Sequence, residues 1–121
     1  MMGAEMDILK DIQIKASELG WRAFRVNVGS GWIGESMRSK DGSVLIKNAR
    51  RFQTGLPKGF PDLLIIGPQG QTVYAEVKTP NGKLRIEQLR FHQFLKRMNQ
   101  HVCVLRSADD LIKIVEGYKD V

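Results

Sequence analysis

The chain has 121 residues, of which 42% are hydrophobic and 26% charged, and a single cysteine, Cys103, which together indicate a folded domain without an internal disulfide or a multi-cysteine zinc site. Nineteen Lys and Arg against 13 Asp and Glu give a formal net charge of +6, which favours a polyanionic partner such as nucleic acid. Since the sequence contains neither an apolar run that would span a bilayer nor a secretory signal, we expect a single intracellular domain over residues 1–121, with no membrane partner.

The first half of the chain predicts one helix and one strand before a glycine-rich segment. Apolar residues recur at helical spacing from Glu5 to Leu19. From Arg22 to Val28 they alternate with polar residues, and Phe24 belongs to the apolar row, which predicts a half-buried strand. The segment Gly29–Ser43 contains four glycines and predicts a loop or a loose hairpin that leads into a short strand at Val44–Ile46.

The second half predicts two strands, a helix, a strand and a final helix. The strands Leu63–Ile66 and Thr72–Lys78 are separated by a Gly-Pro-Gln-Gly turn. A helix over Leu84–Gln100, a buried strand at His101–Leu105 and an amphipathic helix that begins at Ser107 follow. The resulting order is α-β-β-β-α-β-α. A helix between two strands predicts a parallel crossover, so we expect an α/β fold with a mixed central sheet flanked by helices.

Three ionisable residues lie near the far ends of the two hairpin strands. Asp62 opens the first strand, and Glu76 and Lys78 lie two residues apart near the end of the second, so the last two share a face. Pairing of the strands would place Asp62 beside them. Two carboxylates and a backbone carbonyl, for which Val77 is the candidate, suit Mg²⁺ or Mn²⁺, and Lys78 would orient or deprotonate water or offset phosphoryl charge. The alternative is a strand-capping Asp62 and a solvent-exposed ion pair.

These residues resemble the PD-(D/E)XK nuclease pattern in its VRR-NUC form. The segments Gly59–Asp62 and Glu76–Lys78, followed by Gln88, match its motifs, and the similarity spans most of the chain. The resemblance implies a restriction-endonuclease-like core, catalytic roles for the Asp, Glu and Lys of those segments, and a supporting role for Gln88. Glu5 resembles the acidic residue of the family's first helix, although two further acids stand close to it.

Basic residues are the candidates for contact with DNA. Arg25 and Asn27 resemble the Arg-x-Asn that family members carry in the first strand. Other basic residues lie before the first strongly apolar run, and one directly precedes the predicted helix at Leu84. Their side chains would contact phosphates. These further candidates are Arg50, Arg51, Lys58 and Lys83.

The resemblance implies a hydrolase, a DNA endonuclease that uses Mg²⁺ or Mn²⁺. Short viral members of the family are dimers that resolve four-way junctions, so we expect a homodimer that cuts branched DNA, in the cytoplasm of the host cell if the protein is viral. A nickase for flaps or gaps, a DNA-binding subunit without turnover and an RNA-processing enzyme are the alternatives. Metal-dependent hydrolysis of this kind needs no histidine, so His92 and His101 are expected to be structural.

Overall fold

The structure, a computed structural model, describes residues 3–26, 30–53 and 55–119. Within these ranges no helix has both the length and the hydropathy needed to cross a bilayer. The described residues belong to two compact units, the first formed by the chain up to Val26 together with the chain from Gly59, and the second by residues 27–58. The elements are α1 (Gly3–Glu18), β1 (Arg22–Arg25), β2 (Ser30–Arg38), β3 (Val44–Gln53), β4 (Leu63–Ile66), β5 (Thr72–Val77), α2 (Ile86–Arg97), β6 (His101–Leu105) and α3 (Ala108–Lys119).

The first unit is built on a four-stranded sheet in the order β1-β4-β5-β6. Strand β4 pairs antiparallel with both β1 and β5, whereas β5 and β6 are parallel and are connected through α2. This is the crossover that the sequence predicts, and the elements of this unit follow the order α-β-β-β-α-β-α. The predicted α/β class with a mixed sheet is therefore confirmed.

One face of this sheet is covered by α1 and α3. Ile12 of α1 and Leu111 of α3 lie in the same buried cluster as Ala75 and Val77 of β5, and none of the four side chains is exposed to solvent. Burial of such apolar side chains is the main favourable contribution to folding. The odd-numbered residues of β5 therefore point into the hydrophobic core.

The other face of the sheet is covered by α2, which packs against β6. The Phe60 ring lies between Phe91 of α2 and Tyr74 of β5, at centroid distances of 5.1 and 6.0 Å. Successive side chains of a strand point to opposite faces, so Glu76 lies on the same face as Tyr74. The sheet thus directs one acidic side chain of its central strand towards a helix.

The apolar row predicted for the first strand is wrong. Ala23 is buried, whereas Phe24 is 50% exposed. The reason is that α1 packs against β1 on the Ala23 side, while α2 packs against β6 at the opposite edge of the sheet. Strand β1 ends at Arg25, and the last two residues of the predicted strand, 27 and 28, lie outside the described residues.

The second unit contains an antiparallel ribbon made of β2 and β3. Its turn is held by the N–H of Ser39, which donates to the carbonyl of Ser43 at 2.9 Å. The Asp41 carboxylate accepts hydrogen bonds from the hydroxyl groups of both serines and from the N–H of Ser43. This network lowers the pKa of Asp41, chiefly through the bond from Ser39. The turn is therefore stabilised most when Asp41 is ionised.

Of the two structures predicted for Gly29–Ser43, a loop and a hairpin, the hairpin is correct, although Gly29 itself lies outside the described residues. The strand predicted at Val44–Ile46 continues to Gln53. Every side chain between residues 34 and 51 is exposed except Ile46, which is half-buried. Because residues 34–51 of the ribbon form no buried face, this part of the sequence lacks the apolar alternation by which strands are predicted.

Candidate active site

Asp62 directly precedes the first residue of β4, beside the ends of β1 and β5. The register of β4 and β5, extended by one residue, places Asp62 opposite Glu76. The Oδ2 atom of Asp62 accepts a hydrogen bond from the N–H of Val77 at 2.8 Å. The backbone carbonyl of Asp62 accepts a second one from the N–H of Val26, also at 2.8 Å. The carboxylate is therefore fixed against the last residues of β5.

Glu76 is buried beneath the first turn of α2, with 2% of its surface exposed. Its Oε1 atom accepts a hydrogen bond from Nε2 of Gln88 at 2.6 Å. The Oε1 atom of Gln88 in turn accepts the N–H of Arg85 at 2.9 Å, at the start of the helix. Because the carbonyl end of the Gln88 amide is used by the helix terminus, its NH₂ end must point towards Glu76.

Lys78 follows β5 directly and is also buried, with 5% of its surface exposed. Its N–H donates to the carbonyl of Leu105 at 3.1 Å, which extends the pairing of β5 and β6 by one residue and directs the side chain towards the face covered by α2. The loop that follows is held by Nη1 of Arg106, which donates to the carbonyls of Thr79 and Gly82 at 2.7 and 2.6 Å. The position of Lys78 is therefore fixed by the sheet that precedes it and by the hydrogen-bonded loop that follows it.

The two carboxylates influence each other electrostatically. Desolvation by burial raises the pKa of Asp62 to about 6, and the neighbouring Glu76 contributes to the rise. The N–H of Val77 and the positive charge of Lys78 oppose it. Two carboxylates close together in a partly buried site repel each other when both are ionised, so a positive charge between them is favourable.

The donor atoms at this site fit a hard divalent cation. The Oε2 atom of Glu76 is buried and has no hydrogen-bond partner among the described residues. The N–H and C=O of a strand residue point to the same side, so the carbonyl of Val77 is directed to the side of Asp62, which accepts its N–H. No three His, Cys, Asp or Glu side chains in the described ranges converge to hold a metal. Two carboxylates and one carbonyl suit Mg²⁺ or Mn²⁺, which retain water and bind substrate phosphate.

A profile of the VRR-NUC domain matches residues 5–109, which include all of these groups. The chain belongs to the VRR-NUC family. A solved structure described as a VRR_NUC domain aligns with 97% of this chain and 99% of its own length, with a TM-score of 0.65 and 24% identity, and this likeness supports the fold. No curated protein matches the chain. The VRR-NUC domain is a nuclease domain and is consistent with the PD-(D/E)XK superfamily, so the function of this chain is DNA processing of the nuclease type.

Glu5, which the resemblance assigned to the VRR-NUC site, lies in the first turn of α1. In the part of the chain that the structure describes, no third acidic or histidine side chain approaches Asp62 and Glu76 closely enough for a shared metal, and this includes Glu5. The structure therefore brings together four of the five residues predicted to be catalytic, while a role for Glu5 at the site stays a prediction.

The residues predicted to contact DNA are divided between the two units of the VRR-NUC domain. Arg25 and Lys83 are exposed and belong to the unit that carries the carboxylates. Arg25 is the last residue of β1, one position before the backbone contact with Asp62. The second unit contains exposed Arg50, Arg51 and Lys58, while Asn27 lies outside the described residues.

His92 is a residue of the VRR-NUC site that sequence analysis missed. It lies on α2 with 5% of its surface exposed, and its Nε2 atom is 4.0 Å from Oε2 of Glu76. The sequence contains one signal for this position. His92 follows Gln88 by four residues, and residues at that spacing occupy the same face of a helix.

Proposed function

We propose that this VRR-NUC domain is a divalent-metal-dependent endonuclease that hydrolyses phosphodiester bonds in branched DNA. The observation that carries the proposal is a pair of facing carboxylates, the partly buried Asp62 and the buried Glu76, beside a buried Lys78 at the end of a sheet. Burial of charged groups costs free energy unless they are paired or hold a metal, so a purely structural role does not account for the arrangement.

Each residue of the site has a distinct task in this proposal. Asp62 and Glu76, with the carbonyl of Val77, hold Mg²⁺ or Mn²⁺, and Gln88 fixes the position of Glu76 through the bond to Oε1. The bound ion supplies Lewis-acid stabilisation of phosphoryl oxygens and lowers the pKa of water. Lys78 orients the attacking water or offsets the negative charge that develops on the phosphoryl group.

Contacts with DNA are proposed to come from both units. Arg25 and Lys83 would bind phosphates near the scissile bond. The ribbon contains five Lys and Arg residues and two acidic residues, and all seven side chains are exposed. An isolated two-stranded ribbon has little stability by itself, and the positive charge of this one makes a nucleic-acid backbone a suitable partner. Arg50, Arg51 and Lys58 are the residues proposed for this contact, with Asn27 of the preceding segment.

The proposed substrate is a four-way junction, and the proposed assembly is a homodimer. Symmetric cutting of a junction requires two active sites related by a two-fold axis, whereas the described chain carries one pair of site carboxylates. A second copy of the chain supplies the second site. Phosphate and shape contacts rather than base contacts would select the substrate.

The proposal is tested by incubating labelled junction, flap and linear duplex DNA with the protein and Mn²⁺, alongside the variants Asp62→Asn and Lys78→Ala. We expect paired, symmetric cuts in the junction and cleavage reduced by about a hundredfold or more in both variants, with DNA binding retained. Lys113→Ala, which removes an exposed lysine of α3, is the matched control. Tight binding without cleavage at any Mn²⁺ concentration would refute the enzymatic proposal, and unpaired cuts in flaps would refute the substrate.

A further inference from the structure

We propose that His92 is a positioning residue that orients the Glu76 carboxylate for metal binding, an inference that rests on the proposed function. The buried polar or charged side chains of the described residues are Glu76, Lys78 and His92, and all three lie at this site. Buried polar groups in a folded protein are normally paired. The burial of His92 beside Glu76 therefore requires a physical explanation.

The geometry points to an interaction between the two side chains. Nε2 of His92 and Oε2 of Glu76 are 4.0 Å apart, and both atoms are buried without a hydrogen-bond partner among the described residues. One is a potential donor and the other an acceptor. If these two atoms come about 1 Å closer, they form a hydrogen bond of ordinary length, and this bond satisfies both atoms at once.

With this bond, α2 holds both oxygens of the carboxylate. Gln88 donates to Oε1 at 2.6 Å, and His92, one helical turn further, donates to Oε2. Two donors from one rigid helix fix the tilt and the rotation of the carboxylate plane, which a single donor does not. The remaining lone pairs of Glu76 stay available on the side of Asp62. Such outer contacts commonly set ligand orientation and metal affinity.

His92 acts through Glu76 and not as a ligand in its own right. In the described part of the chain no three His, Cys, Asp or Glu side chains are arranged to share an ion, so Asp62, Glu76 and His92 do not form such a set. This distinguishes a positioning role from a direct metal contact. It also predicts that another side chain with an N–H donor at the same place can substitute for the imidazole.

The test compares His92→Gln, which keeps an N–H donor near the position of Nε2, with His92→Leu, which keeps bulk but removes the donor. Mn²⁺ binding to the DNA-free protein is measured by calorimetry, and cleavage is measured as a function of Mn²⁺ concentration. We expect His92→Leu to weaken Mn²⁺ binding about tenfold and His92→Gln to lie within about threefold of the wild type. If His92→Leu does not fold, His92→Asn, whose shorter amide does not reach Glu76, takes its place.

Wild-type Mn²⁺ affinity in His92→Leu would overturn the inference, as would equal losses in the Leu and Gln variants. A second readout does not depend on metal. The ¹⁵N–¹H spectrum of the metal-free imidazole is expected to show the proton on Nε2 and to change in Glu76→Gln, and an unchanged spectrum would also overturn the inference. A wild-type protein that neither binds Mn²⁺ nor cleaves DNA would overturn the proposed function, while this spectrum still decides the contact between His92 and Glu76.

Discussion

Replacement of Asp62 by Asn is expected to stabilise the metal-free protein at neutral pH. Burial raises the pKa of Asp62 from its ordinary value of 3.8 to about 6. The folded protein therefore keeps the Asp62 proton up to about pH 6, whereas the unfolded chain loses it near pH 4. The folded state consequently loses stability as the pH rises through this interval, and the loss is complete above it. Asn is neutral at every pH and still accepts the hydrogen bond from Val77.

The size of this effect follows from the pKa difference. A difference of about two units corresponds to about 3 kcal/mol if the whole shift acts on stability. Asp62 is only partly buried and water screens its charge, so we expect about 1–2 kcal/mol in the free energy of unfolding. For a chain of this size, that corresponds to a rise in Tm of about 4–8 °C.

The assay is thermal unfolding of wild type and Asp62→Asn in a chelator, at about pH 4 and about pH 7.5. The variant should be the more stable protein at the higher pH, and the difference should vanish at the lower one. Asp11→Asn, which removes an exposed carboxylate of α1, controls for the change in net charge and should show no such pH-dependent gain. Added Mn²⁺ should raise the Tm of the wild type more than that of the variant. A variant equal to or less stable than the wild type at about pH 7.5 would refute the reasoning.

Three further variants test other contacts. Gln88→Leu removes the donor to Glu76 and the acceptor for the N–H of Arg85, so urea unfolding should show a loss of about 1 kcal/mol, whereas Gln93→Leu on the exposed side of α2 should not. The double variant Arg50→Ala/Arg51→Ala should reduce the slope of log Kd for DNA against log salt by about 2, and an unchanged slope would exclude these residues from phosphate contact. Tyr118→Phe removes the hydroxyl that contacts Nδ1 of His101 and should cost about 1 kcal/mol of stability, and a loss of cleavage would contradict the structural role of that pair.

The main sheet could be predicted from the sequence because its signals are local. Leu63–Ile66 is an unbroken apolar run, the turn after it carries glycine and proline, and the helix over Ile86–Arg97 separates two strands. The ribbon could be predicted only as one of two alternatives. Between residues 34 and 51 its side chains are exposed apart from the half-buried Ile46. Hydrogen bonds between the strands and the Asp41 turn therefore determine the structure of this part, and neither produces an apolar pattern.

The site shows the same division between local and distant determinants. Glu76 lies on β5 and Lys78 directly follows it, and a short turn fixes Asp62 opposite Glu76, so the proximity of the three residues follows from strand geometry. The contact of His92 with Glu76 depends on how α2 packs on the sheet, which periodicity does not reveal. For Glu5, only the family resemblance predicts a position at the site. No local feature of the sequence fixes the first turn of α1 against Asp62.

The geometry of the carboxylates depends on α2 as much as on the sheet. Gly59, three residues before Asp62, has a positive φ of 95°, and a Cβ atom there would overlap the carbonyl of Glu87 in the first turn of α2. The backbone that leads to Asp62 therefore lies directly against the helix that carries Gln88 and His92. Glu76 accepts its hydrogen bond from Gln88 of the same helix. A displacement of α2 would move the donors to Glu76 while Asp62 stays hydrogen-bonded to β5, so the position of this helix determines whether the two carboxylates can share one ion.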